Sequence, residues 1–406
     1  MLYALHEMQH ALLAPWNVWA KTHHELFSHP FSPLAYAPGA KRVAASADLM
    51  HRLTKRYDKP EFGLDHTVID GAEVAITERV AVRKPFCRLL HFQRAATRND
   101  PVVLLVAPLS GHFATLLRDT VRALAPDHEV YVTDWADAKL VPISEGGFHL
   151  DDYVDYVREF IRYLGPAVHV ISVCQPTVPV LAAVALMAAD GETVQPRTMT
   201  MMGGPIDARR SPTAVTNLAL KHPLSWFDRR LIQRVPAKYP GFMRRVYPGF
   251  LQHAGFVAMN PDRHADAHWD YYLHLVAGDG DSADSHRRFY DEYNAVLDMP
   301  AEYYLDTIRT VFQEFALAQG TMRVRGQPVR PDAVTKTALL TIEGALDDIS
   351  GNGQTEAAHI LCTKVPSEKR KHLLAKNVGH YGIFSGRKFR ELIYPQIRDF
   401  IRRWGG

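Results

Sequence analysis

Three residues of different type, far apart in a chain of 406, have the spacing of a nucleophilic site: Cys174, Asp347 and His380. Cys174 ends the apolar run Val168-His169-Val170-Ile171-Ser172-Val173, and a helix-compatible run from Val180 to Ala189 follows at once. Strand, tight turn and helix in that order present a side chain at the edge of a sheet, and Ser172-Val173-Cys174-Gln175-Pro176 stands where a G-x-S-x-G turn carries its serine. The N-terminus of the following helix favours a thiolate at such a turn. A free cysteine is also an ordinary core residue, so a base and an orienting acid have to decide between the two readings.

Both are present in the order that this chemistry needs. The strand-like run Ala338 to Glu343 is followed by Gly344-Ala345-Leu346-Asp347-Asp348, and the next short run by Val378-Gly379-His380-Tyr381-Gly382. Nucleophile, acid, histidine is the chain order of a triad built on an α/β sheet. Asp347 is the expected acid, with its neighbour Asp348 in reserve. Backbone N–H groups are expected to form the oxyanion hole: one from Gln175, after the nucleophile, and one from Leu109 in the turn after the run 101–107, with Ser110 as the alternative.

These residues need a sheet to hold them. Val102 to Ala107, Glu129 to Thr133, Val168 to Val173 and Arg197 to Met202 are short apolar or β-branched runs separated by helix-compatible stretches, the alternation of a parallel sheet. Two alternating runs, at 74–82 and 86–92, predict antiparallel strands ahead of it. The pattern resumes at 338–343, continues through a helix over 354–363 and a strand near 372–375, and closes with a helix of about 386–403. This arrangement predicts an α/β-hydrolase fold with a core of residues 67–204 and 336–406. Residues 205–335, rich in Trp, Tyr, Phe and Arg and mostly helical in pattern, read as an inserted lid. Residues 1–66 read as a helical extension on the core. In it Leu2, Leu5, Met8 and Leu12, then Trp16, Trp19, His23 and Leu26, form a stripe over two helical pieces broken at Pro15, and the stripe is expected to pack on the protein's own body.

Composition narrows the class. The apolar and charged fractions, 47% and 22%, are those of an ordinary globular protein, and a net charge of +3 is too small to argue for nucleic acid. Three cysteines speak against a disulfide framework and fit a reducing compartment. No secretory signal and no membrane-spanning run is read, so a cytoplasmic location is expected. His264-x-x-x-His268 has helical ligand spacing without an evident third ligand and is read as surface histidines. Gly278 to Asp284 is read as a polar loop, since it lacks the alternation of a calcium loop. No glycine-rich phosphate loop occurs, and no cofactor or metal is expected.

Several blocks together resemble a known family. Ser-Val-Cys-Gln-Pro at 172–176, Lys59-Pro60-Glu61-Phe62-Gly63, the stretch Phe289 to Asp298, Ile342 to Gly351 and Val378 to Gly382 look like the intracellular polyhydroxybutyrate depolymerases of bacteria. The resemblance runs from the first helix to the last. It implies an enzyme acting on the amorphous polyester of storage granules, with a Cys174–Asp347–His380 triad, no metal, and the granule surface as partner. Polyhydroxyalkanoate synthases share the fold and triad type, but their usual box is G-x-C-x-G, and Ser172 and Pro176 replace both glycines here. A synthase-like acyltransferase, or release to coenzyme A by attack on the thioester, is the rival within this chemistry; a non-catalytic granule-surface protein is the rival of another class. Trp226, Phe227, Phe250, Trp269, Tyr271 and Tyr272 are material for a polyester groove or equally for a lid core. Oligomeric state is left open, a homodimer included.

Overall fold

The computed structural model describes residues 2–259 and 261–405. The chain opens with α1 (Leu2–Ser28) and α2 (Ala40–Thr54), which pack on each other. The expected break at Pro15 is absent and α1 is continuous through it. Proline removes the hydrogen bond to the carbonyl four residues back, here that of Ala11, and both residues lie on the exposed face where water can take the bond's place. The stripe does not pack on the body as expected. Leu5, Met8, Leu12, Trp16, Trp19 and Leu26 all face outward, while Tyr3 and Ala20 are buried.

Three antiparallel strands follow where two were read: β1 (His66–Ile69), β2 (Ala72–Arg83) and β3 (Cys87–Arg94). Next come β4 (Val102–Val106), α3 (Arg118–Leu124), β5 (Glu129–Trp135), α4 (Leu150–Leu164), β6 (His169–Val173), α5 (Thr177–Ala189) and β7 (Thr198–Met202). Strands β4, β6 and β7 are buried almost throughout, as parallel strands covered by helices on both faces must be. α5 is equally apolar and buried along nearly its whole length, so the helix behind Cys174 is a core element.

Between this half of the sheet and its last strands lies a segment that is not wholly helical. It contains α6 (Ala214–Lys221), α7 (Leu224–Leu231), β8 (Gln233–Arg234), β9 (Arg245–Tyr247), α8 (Gly249–Met259), α9 (Pro261–Ala277), α10 (Gly280–Tyr293), β10 (Met299–Pro300) and α11 (Ala301–Thr307). The three short strands form their own antiparallel sheet in the order β10-β9-β8. The stretch read as a polar loop is the start of α10, with the Asp279 carboxylate capping the N–H of Ser282 at 3.1 Å. α11 runs on into a π-helical turn at 308–313. A small hairpin, β11 (Arg323–Val324) with β12 (Gln327–Pro328), precedes β13 (Ala338–Gly344), α12 (Ala358–Leu361) and β14 (Arg370–Ala375). The helix expected over 354–363 is mostly turns, and the closing helix is broken into α13 (Gly386–Lys388), a π-helical turn and α14 (Tyr394–Trp404).

The nine-stranded sheet has the order β1-β2-β3-β5-β4-β6-β7-β13-β14. From β5 onward every neighbouring pair is parallel. β6 lies near the middle, and the ends of β6, β13 and β14 all open on the same edge. That edge is where the site is assembled.

Candidate active site

Cys174 follows β6 directly and has φ +67°, a left-handed conformation that a non-glycine residue adopts only where its surroundings enforce it. Here the N–H of Cys174 donates to the Met202 carbonyl at 2.7 Å and the N–H of Thr177 to the Cys174 carbonyl at 3.1 Å. The turn is closed from the other side by Gly204, where a Cβ would stand 2.4 Å from the Cys174 carbonyl oxygen and 1.9 Å from Thr177 Oγ1. Pro176 is the N-cap of α5, a position that loses nothing by lacking an N–H, and the Ser172 hydroxyl is buried and donates to the Thr200 carbonyl at 3.3 Å.

The three cysteines differ in surroundings. Burial pushes the thiol of Cys87 well up and that of Cys362 up to about 12, which leaves both inert. Cys174 alone of the three is partly exposed.

Asp347 lies in the turn after β13 and is fixed at three points. Its Oδ1 accepts from the N–H groups of Ile349 at 2.9 Å and Ser350 at 2.8 Å, and Oδ2 accepts from His380 Nδ1 at 2.8 Å. The Asp347 side chain is fully buried and that of His380 only 5% exposed. With Nδ1 committed to Asp347, the ring lies near enough to Cys174 for negative charge on the sulfur to act on it. Burial works to lower the pKa of His380, but negative charge on Cys174 and on Asp347, with the hydrogen bond that Asp347 accepts, outweighs it and holds the imidazolium well above the ordinary histidine value. Gly203, in a left-handed conformation at φ +55°, makes room for this pair. A Cβ there would come within 2.4 Å of Ile383 Cδ1, 3.2 Å of Asp347 Oδ2 and 3.4 Å of His380 Cε1.

The structure thus brings together the three residues that the spacing singled out. Asp348, the reserve, turns instead toward Tyr293 and Tyr381, whose hydroxyl pKa values its charge helps to raise. β4 is the sheet neighbour of β6, so the turn bearing Leu109 and Ser110 lies beside the elbow. The end of β4 is anchored at Ala107, whose N–H donates to Thr133 Oγ1 at 2.9 Å and whose carbonyl accepts from Trp135 Nε1 at 2.8 Å and Tyr153 Oη at 3.0 Å. Among the described residues the N–H groups of Gln175, Leu109 and Ser110 have no hydrogen-bond partner.

Two sets of supporting residues escaped the sequence reading. The side-chain carbonyl of Gln175 accepts from Tyr303 Oη at 2.5 Å, and its amide donates to Thr307 Oγ1 at 3.4 Å, so the inserted segment fixes the residue after Cys174. The buried Glu343 carboxylate receives the N–H groups of Gly353, Thr355 and Glu356, and Thr355 Oγ1 in turn exchanges hydrogen bonds with Gly204 at 2.8 and 3.0 Å. Neither carries a motif, because ordinary side chains make the contacts, and the links from Gln175 to Tyr303 and from Gly204 to Thr355 join residues more than a hundred positions apart. The aromatic residues read as groove material are elsewhere: Phe227 and Tyr271 are buried and Phe250 stacks on His6.

A cleft of about 470 Å³ opens against His380, lined by Phe256, Arg263, Phe289, Tyr293, Asp348 and Tyr381 among others. A larger cavity of about 1270 Å³ separates α1 and α2 from the body. Most of its charged groups are already paired, Lys59 and Arg88 with Asp134, Arg52 and Lys55 with Asp291, and Arg56 with Glu7. It holds none of the three residues above. His264 of α9 hydrogen-bonds Tyr290 Oη at 2.9 Å, His268 packs on the Tyr290 ring with its Nδ1 buried and unpartnered, and no cluster with metal-ligand geometry occurs among the described residues.

The strand order, the left-handed residue at the turn between β6 and α5, and the acid and histidine after β13 and β14 define an α/β-hydrolase. Solved structures with this architecture include a thermophilic esterase from Thermogutta terrifontis (12% identity over 84% of this chain and 98% of the esterase, TM-score 0.41) and a monoacylglycerol lipase from Paleococcus ferrophilus (12% identity over 74% and 93%, TM-score 0.41). No curated protein matches the sequence. The family model for the C-terminus of PHB (polyhydroxybutyrate) depolymerases matches residues 203–405, half of the chain, and the chain belongs to that family.

Proposed function

We propose that this protein hydrolyses the ester bonds of poly(3-hydroxybutyrate) to 3-hydroxybutyrate or its oligomers, with Cys174 as nucleophile, His380 as base and acid, and Asp347 as the group that orients and charges His380. The observation that carries the reading is the buried Asp347–His380 hydrogen bond beside Cys174, itself held in a left-handed elbow. Membership of the PHB depolymerase family supports the substrate class.

In this mechanism the thiol proton passes to His380 and the sulfur attacks an ester carbonyl carbon. The oxyanion is received by the free N–H groups of Gln175 and Leu109. The C–O bond then breaks, the departing alkoxide takes the proton from His380, and an acyl-thioester remains. Water attacks that thioester as His380 takes one of its protons, releasing the acid and restoring the thiol. Residues 205–335 serve as a lid over this centre, with the aromatic cleft beside His380 admitting one stretch of the polyester.

Amorphous poly(3-hydroxybutyrate) granules and the purified protein test the reading. Wild type is expected to release soluble 3-hydroxybutyrate or oligomers, and Cys174→Ala to release less by a factor of about 10⁴ or more. Equal release by both proteins would remove Cys174 from the mechanism. Release by neither, with granule binding intact in both, would favour a binding protein on a hydrolase scaffold.

A further inference from the structure

α1 presents two faces of different character. Its inner face is satisfied: Tyr3 and Ala20 are buried, His6 stacks on Phe250, the Asn17 amide donates to the His51 carbonyl at 2.8 Å, and the His24 ring bonds the Ala44 carbonyl at 3.1 Å. Its outer face carries Leu5, Met8, Leu12, Trp16, Trp19, His23 and Leu26, and the six apolar members are between 41% and 67% exposed. Only three charged residues occur in α1, and Glu7 is tied to Arg56, Lys238 and Tyr239.

We infer that this outer face is the seam through which two copies of the chain pair as a two-fold dimer. The spacing points to a second helix. Successive members lie 3, 4, 4, 3, 4 and 3 residues apart, an average of 3.5, which keeps one line of side chains facing a partner helix, whereas a helix lying on a broad apolar layer follows 3.6. Charge argues in the same direction. A helix that lies on a lipid surface carries a row of basic residues beside its apolar face, and α1 has only Lys21.

The area is also that of an interface. Half-exposed side chains of this size each leave on the order of 100 Å² in water, so the six apolar members offer about 600 Å² per copy, the low end of one side of a standard interface. That stands at the upper limit of the apolar patch, about 300–600 Å², that a monomer ordinarily carries. Trp16 and Trp19, with ring centroids 6.3 Å apart, supply the aromatic anchors typical of an interface centre. A two-fold axis lets the same patch serve both copies.

Sedimentation of the full-length protein across a micromolar concentration range tests this, beside the double variant Leu12→Glu with Trp16→Glu and the off-seam control Lys21→Glu. Wild type and control are expected to sediment as dimers. The double variant is expected to raise the dimer dissociation constant by about 100-fold or more, since each glutamate would have to desolvate in the seam. Its far-ultraviolet circular dichroism and its turnover of a soluble ester should match wild type, because both positions face solvent in the single chain and stand far from Cys174 in sequence. A monomeric wild type, or a double variant that dimerises like wild type, overturns the inference. So does a monomeric wild type whose granule binding the double variant abolishes, because the face would then be a polymer-docking surface. The inference stands apart from the hydrolase reading, since the assembly state is measured without substrate.

Discussion

Two opposed effects act on His380. Burial disfavours its charged form, and the negative charges of Cys174 and Asp347 favour it; the charges win, so the folded protein holds the imidazolium to a higher pH than the unfolded chain does. An unfolded histidine releases its proton at about pH 6.5. The native state therefore binds the extra proton above that value, and stability contributed by this group is complete below pH 6.5 and lost as pH rises through the raised native value. Asp347→Asn should flatten that alkaline decline in a series of Tm measurements. The same change should lower kcat by about 10⁴-fold, since the amide can donate to the ring and stabilise the wrong tautomer. Asp348→Asn should leave kcat within about threefold, because its neighbour already holds Nδ1. Equal losses from both substitutions would place the acid wrongly. The two adjacent carboxyls are told apart by the turn: the Asp347 N–H bonds back to Gly344 and its Oδ1 caps the next backbone N–H groups. A glycine three residues ahead of the acid is the sequence trace of that geometry.

At the scale of elements, the end of β7 is a spacer between the elbow and the acid–histidine pair. Gly203 faces Asp347 and His380, and Gly204 faces the carbonyl of Cys174. A methyl group at Gly204 meets backbone oxygen, which cannot give way without moving the nucleophile. Gly204→Ala is expected to cost at least about 10²-fold in kcat and 1–3 kcal/mol in stability; a variant with full activity would show that the elbow tolerates displacement. The core elements were legible because β4, β6, β7 and β13 are short runs dominated by apolar and β-branched residues. Four features were not. Pro15 broke the sequence pattern of α1 but not the helix, since its missing bond is on the wet side. Strands β8, β9 and β10 are two or three residues long and leave no alternation to detect. The π-helical turns at 308–313 and 389–393 shift the phase of the apolar face by one residue, which periodicity reads as noise. The outward turn of the α1 stripe was invisible for another reason, since amphipathicity gives a face and not the surface that covers it.

The molecule as a whole is joined where its three sequence segments meet, and Asp298 lies at that junction. Its Oδ2 accepts from Tyr3 Oη of α1 at 2.8 Å, and its Oδ1 accepts from the N–H of Gly249 at 2.9 Å. The Asp298 backbone meets the loop after β5 twice: its N–H donates to Asp137 Oδ1 at 3.1 Å, and its carbonyl accepts from the Ala138 N–H at 3.0 Å. Lys139 Nζ stands 2.7 Å from Asp137 Oδ2 and answers part of the negative charge. Burial and the adjacent Asp137 carboxylate raise the Asp298 carboxyl to about 7, against a partial opposing pull from Lys139. The native carboxyl thus keeps its proton where an unfolded aspartic acid, with a pKa of about 3.9, has lost it. The native state binds the additional proton between those values, so stability falls as pH rises from about 4 to 7 and is level above that. Asp298→Asn keeps an oxygen for Gly249, carries no charge to bury, and should remove this slope. Thermal unfolding at half-unit steps from pH 4.5 to 8 checks it: the variant's Tm should approach or pass that of wild type at pH 7.5 while falling below it near pH 4.5. Tyr3→Phe separates the hydrogen bond from the charge. It should lower stability by about 1–2 kcal/mol and loosen α1, read as faster hydrogen exchange along that helix, while the pH slope remains. A wild-type Tm that rises between pH 4.5 and 7, together with an unchanged slope in Asp298→Asn, would mean that other carboxyls govern this range and that the junction holds its charge without cost.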